Sequence, residues 1–149
     1  MALEPAYIAY PTALVLLVLA GFHAFWGVGG YWPGSDEASL VEHIIGRTPN
    51  MNVPSFWACM FVAGCLLAVV ALIFARMNFM PLPNLISWLP VVGLYAASAI
   101  FIVRGFAAYL PKVFDYAKGT PFYDLNLVFY SPLCIAIGVA LIALNLMRT

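Results

Sequence analysis

A helical bundle that crosses a membrane four times is the fold class this sequence predicts, and three observations carry it. Of 149 residues, 65% are hydrophobic and 8% charged, where a soluble domain carries about 25% charged residues. The few charges are also confined. No charge falls between Glu4 and Asp36, between Arg47 and Arg76, between Arg76 and Arg104, or between Asp124 and Arg148. Each of these four runs exceeds the roughly 20 apolar residues that a helix needs to cross a bilayer core. Lipid offers the backbone no hydrogen bonds, so spans of this length must be helices. A soluble fold of this size and a disordered chain are excluded. Net charge is zero, so no basic surface advertises nucleic acid.

The first span is expected over 6–28. Glu4 stands where a cleaved signal would carry Lys or Arg, and the apolar stretch is too long for one, so this span is expected to stay. The second is expected over 55–75, the third over 84–108 and the fourth over 130–147. Pro11, Pro90 and Pro132 are placed near span starts, where a missing N–H matters least. Arg76 and Arg148 close spans two and four, where a cation suits a helix C-terminus. Together the spans form one integral membrane domain over 1–149, with no stalk or soluble domain expected at either end.

An even number of spans puts both termini and the short turn at 77–83 on one face. The long loops, 29–54 and 109–129, share the other face. A loop helix is expected over about 35–45, where Ser35 offers a capping hydroxyl, Asp36 and Glu37 load the first turn, and Gly46 stops it. Leu40, Val41, Ile44 and Ile45 share one side, which suits a helix lying flat on a membrane. A second loop helix is expected over about 111–118, from Pro111 to Gly119, with Val113, Phe114 and Ala117 on its apolar side.

The two loops belong to an internal repeat. Gly27…Tyr31-Trp32-Pro33 returns in the second half as Gly105…Tyr109-Leu110-Pro111. Thr48-Pro49 returns at a shorter offset as Thr120-Pro121, and Ala71-Leu72…Arg76 keeps that shorter offset in Ala143-Leu144…Arg148. The change of offset is a shortening of the second loop. Span, surface helix and span therefore occur twice, in the same orientation, about an axis near the membrane normal.

Polar groups placed in lipid are costly, so they are the first candidates for function. His23 lies near the loop end of span one, Arg104 near that end of span three, and Tyr130, Ser131 and Cys134 begin span four there. Trp26 is the repeat counterpart of Arg104 and His23 that of Phe101. His23, Trp26, Gly27 and Gly30 follow helical spacing, with the glycines leaving room beside the imidazole. An imidazole, a fixed cation and a phenol are the parts of an anion-binding or proton-transfer site. The alternative is internal glue: Arg104 paired with Glu42, Asp115 or Asp124, and His23 donating to a neighbouring helix carbonyl. Cys59, Cys65 and Cys134 lie in spans without C-x-x-C spacing and read as packing residues. Gly93 with Ala97, and Ala136 with Ala140, suit close helix packing. Phosphate-loop, zinc-protease, nucleophile-elbow and dinucleotide motifs are absent. His23 has no second intramembrane histidine to share a haem with, since His43 lies on a loop. No metal or other cofactor is expected.

His23-Ala24-Phe25-Trp26-Gly27-Val28-Gly29-Gly30, Arg104, Thr120-Pro121-Phe122 and Tyr130-Ser131-Pro132-Leu133-Cys134 resemble a bacterial family of small four-helix membrane proteins known only as a domain of unknown function. The resemblance covers roughly 12–147, and the Tyr-Ser-Pro-Leu-Cys run is its most specific part. It implies a bacterial inner-membrane location and four spans, and it implies no activity. The family pattern commonly holds Asp where this chain has Asn126, followed by basic residues where it has Leu127 and Val128.

The expected function is a binding module, rather than an enzyme, for a lipophilic or anionic small molecule at the loop-side end. Arg104 would anchor it, His23 and Tyr130 would hydrogen-bond it, and Trp26 would wall it, beside Ser131 and Cys134. A non-catalytic assembly subunit of a membrane complex, or a homo-oligomer, is the second expectation. A small intramembrane enzyme using His23 as acid or base is the third. Besides the lipid bilayer, the expected partners are that small molecule, a second copy or a membrane subunit, and no nucleic acid. A raw count of Lys and Arg favours the loops inside. Those cations are spread over long loops with five acids, and Arg104 lies within a span, so the termini are expected in the cytoplasm.

Overall fold

The computed structural model describes residues 4–79 and 83–147, and among these it is all-helical, with no strand. The elements are α1 (Ala6–Gly27), α2 (Glu37–Ile44), α3 (Phe56–Arg76), α4 (Leu89–Ala107), α5 (Pro121–Leu125), a π-helical segment (Asn126–Tyr130) and α6 (Ser131–Leu146). Four helical stretches are long and apolar enough to cross a membrane: Ala6–Gly27, Phe56–Arg76, Asn84–Ala107 and Pro121–Leu146. Only 22–28% of an 18-residue apolar window in each is buried, so most of that surface faces outward, as spans in lipid require. Arg148 and part of the turn at 77–83 lie outside the described residues.

The core follows helical stripes. Ala9, Ala13, Leu16 and Ala20 line α1, and Ala63, Leu66, Val70 and Ile73 line α3. Leu94 and Ala97 of α4 meet Ile137, Leu141 and Leu144 of α6 in the same core. Lipid tails are as apolar as these side chains, so association rests on close packing and interhelical hydrogen bonds. The pairings α1 with α3 and α4 with α6 are the most extensive, and α3 with α4 and α1 with α6 close the bundle. Each two-span unit thus packs chiefly on itself.

Matched glycines make both close approaches. A Cβ on Gly27 would lie 3.0 Å from Cβ of Cys59, and one on Gly105 would lie 2.9 Å from the Ser131 carbonyl. Gly27 and Gly105 are repeat counterparts, and so are Cys59 and Ser131. Gly27 is therefore closed by α3 and does not leave room beside His23. Ser98 Oγ, fully buried, donates to the Gly138 carbonyl at 2.7 Å and ties α4 to α6. At the opposite end, Arg76 donates to the carbonyls of Asn145 and Met147 at 3.3 and 2.9 Å.

Three expectations are corrected. The first concerns α2: Asp36, not Ser35, caps it. Its Oδ1 accepts from the Ser39 N–H at 2.8 Å, and the Ser39 hydroxyl accepts from the Asp36 N–H at 3.1 Å. Leu40 and Val41 are completely buried, because α2 packs on α5 rather than turning its apolar side to lipid.

The second concerns 111–118, which is no α-helix. It is a chain of turns with one 3-10 turn, Asp115–Ala117. Lys112 sits at φ +72°, a left-handed conformation that breaks a helix at its second residue.

The third concerns span four, which starts at Pro121, well before 130. Asn50 and Met51 take positive φ in the first unit and delay α3 to Phe56. Their repeat counterparts Phe122 and Tyr123 are helical, and the π-helical segment carries the helix on into α6. Pro132 thus lies inside a span, not near its start.

Candidate functional site

Both loops meet at one end of the bundle. The Tyr130 hydroxyl donates to the His43 carbonyl at 3.1 Å, and the Tyr116 hydroxyl donates to the Ile45 carbonyl at 3.2 Å. Arg47 reaches the Lys118 carbonyl at 3.4 Å. Gly46, at φ +100°, lies so close to Ala117 that a Cβ there would collide with it. The last turn of α2 is therefore clamped onto the second loop.

The candidate residues fall into separate sets at this end. His23 donates from Nδ1 to the Leu19 carbonyl one turn back, at 2.8 Å, and meets Trp26 edge-on at 5.1 Å. Trp26 donates from Nε1 to the Trp32 carbonyl at 2.8 Å. Phe22 stacks against both indoles, at 5.8 Å from Trp26 and 5.2 Å from Trp32. Val18, Gly21, Phe22, Phe25 and Trp32 line an open apolar groove of about 340 Å³ on the outer side of α1. Among the described residues no hydrogen bond or ring contact joins this set to Arg104, and none involves Cys134. Tyr130 turns its hydroxyl to α2, not to Arg104.

Arg104 has a different company from the acids expected for it. Its Nη2 donates to Asn126 Oδ1 at 2.9 Å, its Nη1 donates weakly to Ser131 Oγ at 3.5 Å, and its guanidinium lies 5.2 Å from the Phe114 ring centroid. Ser131 Oγ also donates to Asn126 Oδ1, at 3.2 Å. Asn126 and Ser131 are both buried, at 1% and 0% exposure. Among the described residues no carboxylate pairs with Arg104, and Asp115 pairs instead with Lys118 at 2.8 Å. That carboxylate holds the Lys118 ammonium above its ordinary value, chiefly by its hydrogen bond and then by its charge.

The π-helical segment makes the Arg104 set possible. Residues five apart on an α-helix stand about 140° from one face, so Asn126 and Ser131 would diverge. The segment bonds i to i+5, as the Ser131 N–H to the Asn126 carbonyl shows, and the wider turn brings both side chains round to α4. Pro132 has no N–H to give to Leu127 in this pattern. The Leu127 carbonyl instead accepts from the Tyr109 hydroxyl at 2.9 Å.

Beside this segment lies a cleft of about 410 Å³, lined by residues of 108–118 together with Tyr123 and Leu127. Phe114 forms part of its wall and carries Arg104 near its ring. Sequence reasoning missed Asn126 and Phe114 as parts of the site. For Asn126 the available signal was its place early in the run from Asp124 to Arg148, at the position where the family pattern commonly holds Asp.

Among the described residues no group of three or more His, Cys, Asp or Glu is placed to hold a metal ion. No curated protein and no solved structure matches the chain. A family model described as "Protein of unknown function (DUF3995)" matches residues 16–141. That stretch runs from the middle of α1 into the last turns of α6 and holds every residue of the Arg104 set, and the chain belongs to this family of proteins of unknown function.

Proposed function

We propose that this small membrane protein binds a lipophilic anion at the loop-side end of its bundle, with the anion's charge at Arg104. One observation carries the reading: the guanidinium stands near the end of a span and, among the described residues, its hydrogen-bond partners are neutral, Asn126 and Ser131. Among the described residues no counter-ion holds this cation, which leaves its charge to attract an anion. At an effective dielectric of about 20, a charge at about 4 Å gains roughly 4 kcal/mol of Coulomb energy, enough to separate anionic from neutral amphiphiles with the same tail. The reading places the protein in a bacterial inner membrane, with its termini in the cytoplasm and Arg104 near the opposite face.

A second reading, internal glue for an assembly subunit, is favoured by His23 and Tyr130, which commit polar atoms to backbone carbonyls. Native mass spectrometry of the full chain, released gently from nanodiscs made with cell-membrane lipid, separates the two. The anion reading expects one discrete amphiphile mass on the wild type, lost in Arg104→Gln and kept in Arg104→Lys. Folded protein with the same bare spectrum for wild type and Arg104→Gln overturns it and leaves the glue.

A further inference from the structure

We infer that the cleft beside the π-helical segment is the seat of a phosphate-bearing headgroup. The inference rests on the reading of the protein as a binder of lipophilic anions and names the ligand's class. The cleft has a suitable size, about 410 Å³, since pockets for small molecules run from about 300 to 1,000 Å³. It is amphiphilic in the required sense. Leu110, Pro111 and Leu127 are apolar, while Lys112, Lys118, Asp115 and Tyr123 bring charge and hydroxyl to the same space.

The lining is net positive, with Lys112 and Lys118 against Asp115. Lys118 is offset by Asp115, but Lys112 forms no ion pair among the described residues, and Arg104 lies behind the Phe114 wall with neutral partners. Lys112 and Lys118 therefore line the cleft itself, while Arg104 stands beyond the Phe114 ring and adds its charge from outside the lining. A planar carboxylate carries one charge and presents its oxygens in one plane. A tetrahedral phosphate monoester carries close to two and offers oxygens on several sides. An ammonium binds such a group as a point charge, and the Tyr123 hydroxyl, without a hydrogen bond among the described residues, adds a donor.

The backbone is shaped to the same end. Lys112 holds φ +72°, a conformation that side chains with a Cβ resist and that gathers at ligand clamps. The reversal there folds 108–119 into turns along the π-helical segment instead of a helix standing away from it. Irregular π turns are themselves common at functional sites.

The test is native mass spectrometry of the full chain from phosphatidylcholine nanodiscs doped with either phosphatidic acid or oleate. Wild type is expected to retain phosphatidic acid about tenfold over phosphatidylcholine. Lys112→Asn keeps a residue that tolerates positive φ but removes the charge, and it is expected to bring that ratio to parity. Lys112→Arg is expected to restore it. Oleate retention, which needs only Arg104, is expected to stay unchanged in Lys112→Asn. Phosphatidic acid retained equally by Lys112→Asn and wild type overturns the cleft, and the anion reading survives if Arg104→Gln still loses oleate. Loss of phosphatidic acid in Lys112→Asn, with oleate kept by Arg104→Gln, supports the cleft and overturns the Arg104 anchor. Inorganic phosphate in the buffer is expected to displace nothing. If it strips phosphatidic acid from the wild type, the site takes free phosphate and the amphiphile assignment is overturned.

Discussion

Arg104 and Asn126 set the chemistry of the loop-side end through a single 2.9 Å hydrogen bond between a charged donor and a neutral acceptor. Removing the acceptor leaves a guanidinium N–H half-buried and unpaired. Asn126→Leu is therefore expected to destabilise the bundle by about 1–3 kcal/mol, read as a lower thermal midpoint in detergent, with Ser131→Ala costing less. Asn126→Asp acts differently, since it supplies a resident counter-ion at the same place. It is expected to abolish retention of an added lipophilic anion in a chain that stays folded. A variant that binds oleate as wild type does would sink the anion reading at this residue. His23 belongs to another set. Its spacing with Trp26 was legible in the sequence, but the carbonyl expected for it was a neighbouring helix's, whereas it donates to Leu19 of its own helix.

Among the elements, α4 and α6 depend on small residues at their contact. A Cβ on Gly105 would lie 2.5 Å from Ile135 Cγ1 and 2.9 Å from the Ser131 carbonyl, whereas Gly64 has nothing within 4 Å. Gly105→Ala is expected to cost about 1–3 kcal/mol through overpacking, while Gly64→Ala is expected to stabilise α3 by up to about 1 kcal/mol. Equal thermal midpoints for the two variants would contradict this packing. The α2 helix has a pH dependence of its own. The Ser39 N–H, followed by the Ser39 hydroxyl, holds the Asp36 carboxyl below its usual value. Its contribution is thus complete above the ordinary carboxylate range and lost as pH falls through the lowered value. The protection of the Ser39 amide against exchange, relative to its intrinsic rate at each pH, is expected to fall below that range in wild type, and to lose that pH step in Asp36→Asn.

For the molecule as a whole, the meeting of α2 with the second loop makes a topological demand. Four spans return the chain to its starting side, so 42 and 112 must share a face that 4 does not. Glu42→Cys and Lys112→Cys are expected to react together with a membrane-impermeant maleimide from one side of sealed vesicles, and Glu4→Cys only from the other. Labelling of all three from one side would remove the four-span topology. The side that reacts also tests whether the termini are cytoplasmic.

The number of long apolar spans and their helical state were determined by sequence alone, while which spans pack on each other came from the tertiary structure. Uncharged length is a local property, and lipid permits the backbone of such a run one solution. The polar candidates were legible for the same reason, since His23 and Arg104 interrupt apolar runs. Their partners were not. Pairing of Arg104 with Asn126 rather than with Glu42, Asp115 or Asp124 depends on a π turn, and a turn that adds one residue leaves no periodic trace in a stretch that is apolar on every side. The unwinding of 111–118 likewise hangs on the backbone reversal at Lys112, where composition suggested a helix. Covalent neighbours decide how a segment meets lipid, whereas the company of a side chain is decided by which helix face is turned toward it, and only tertiary packing sets that angle.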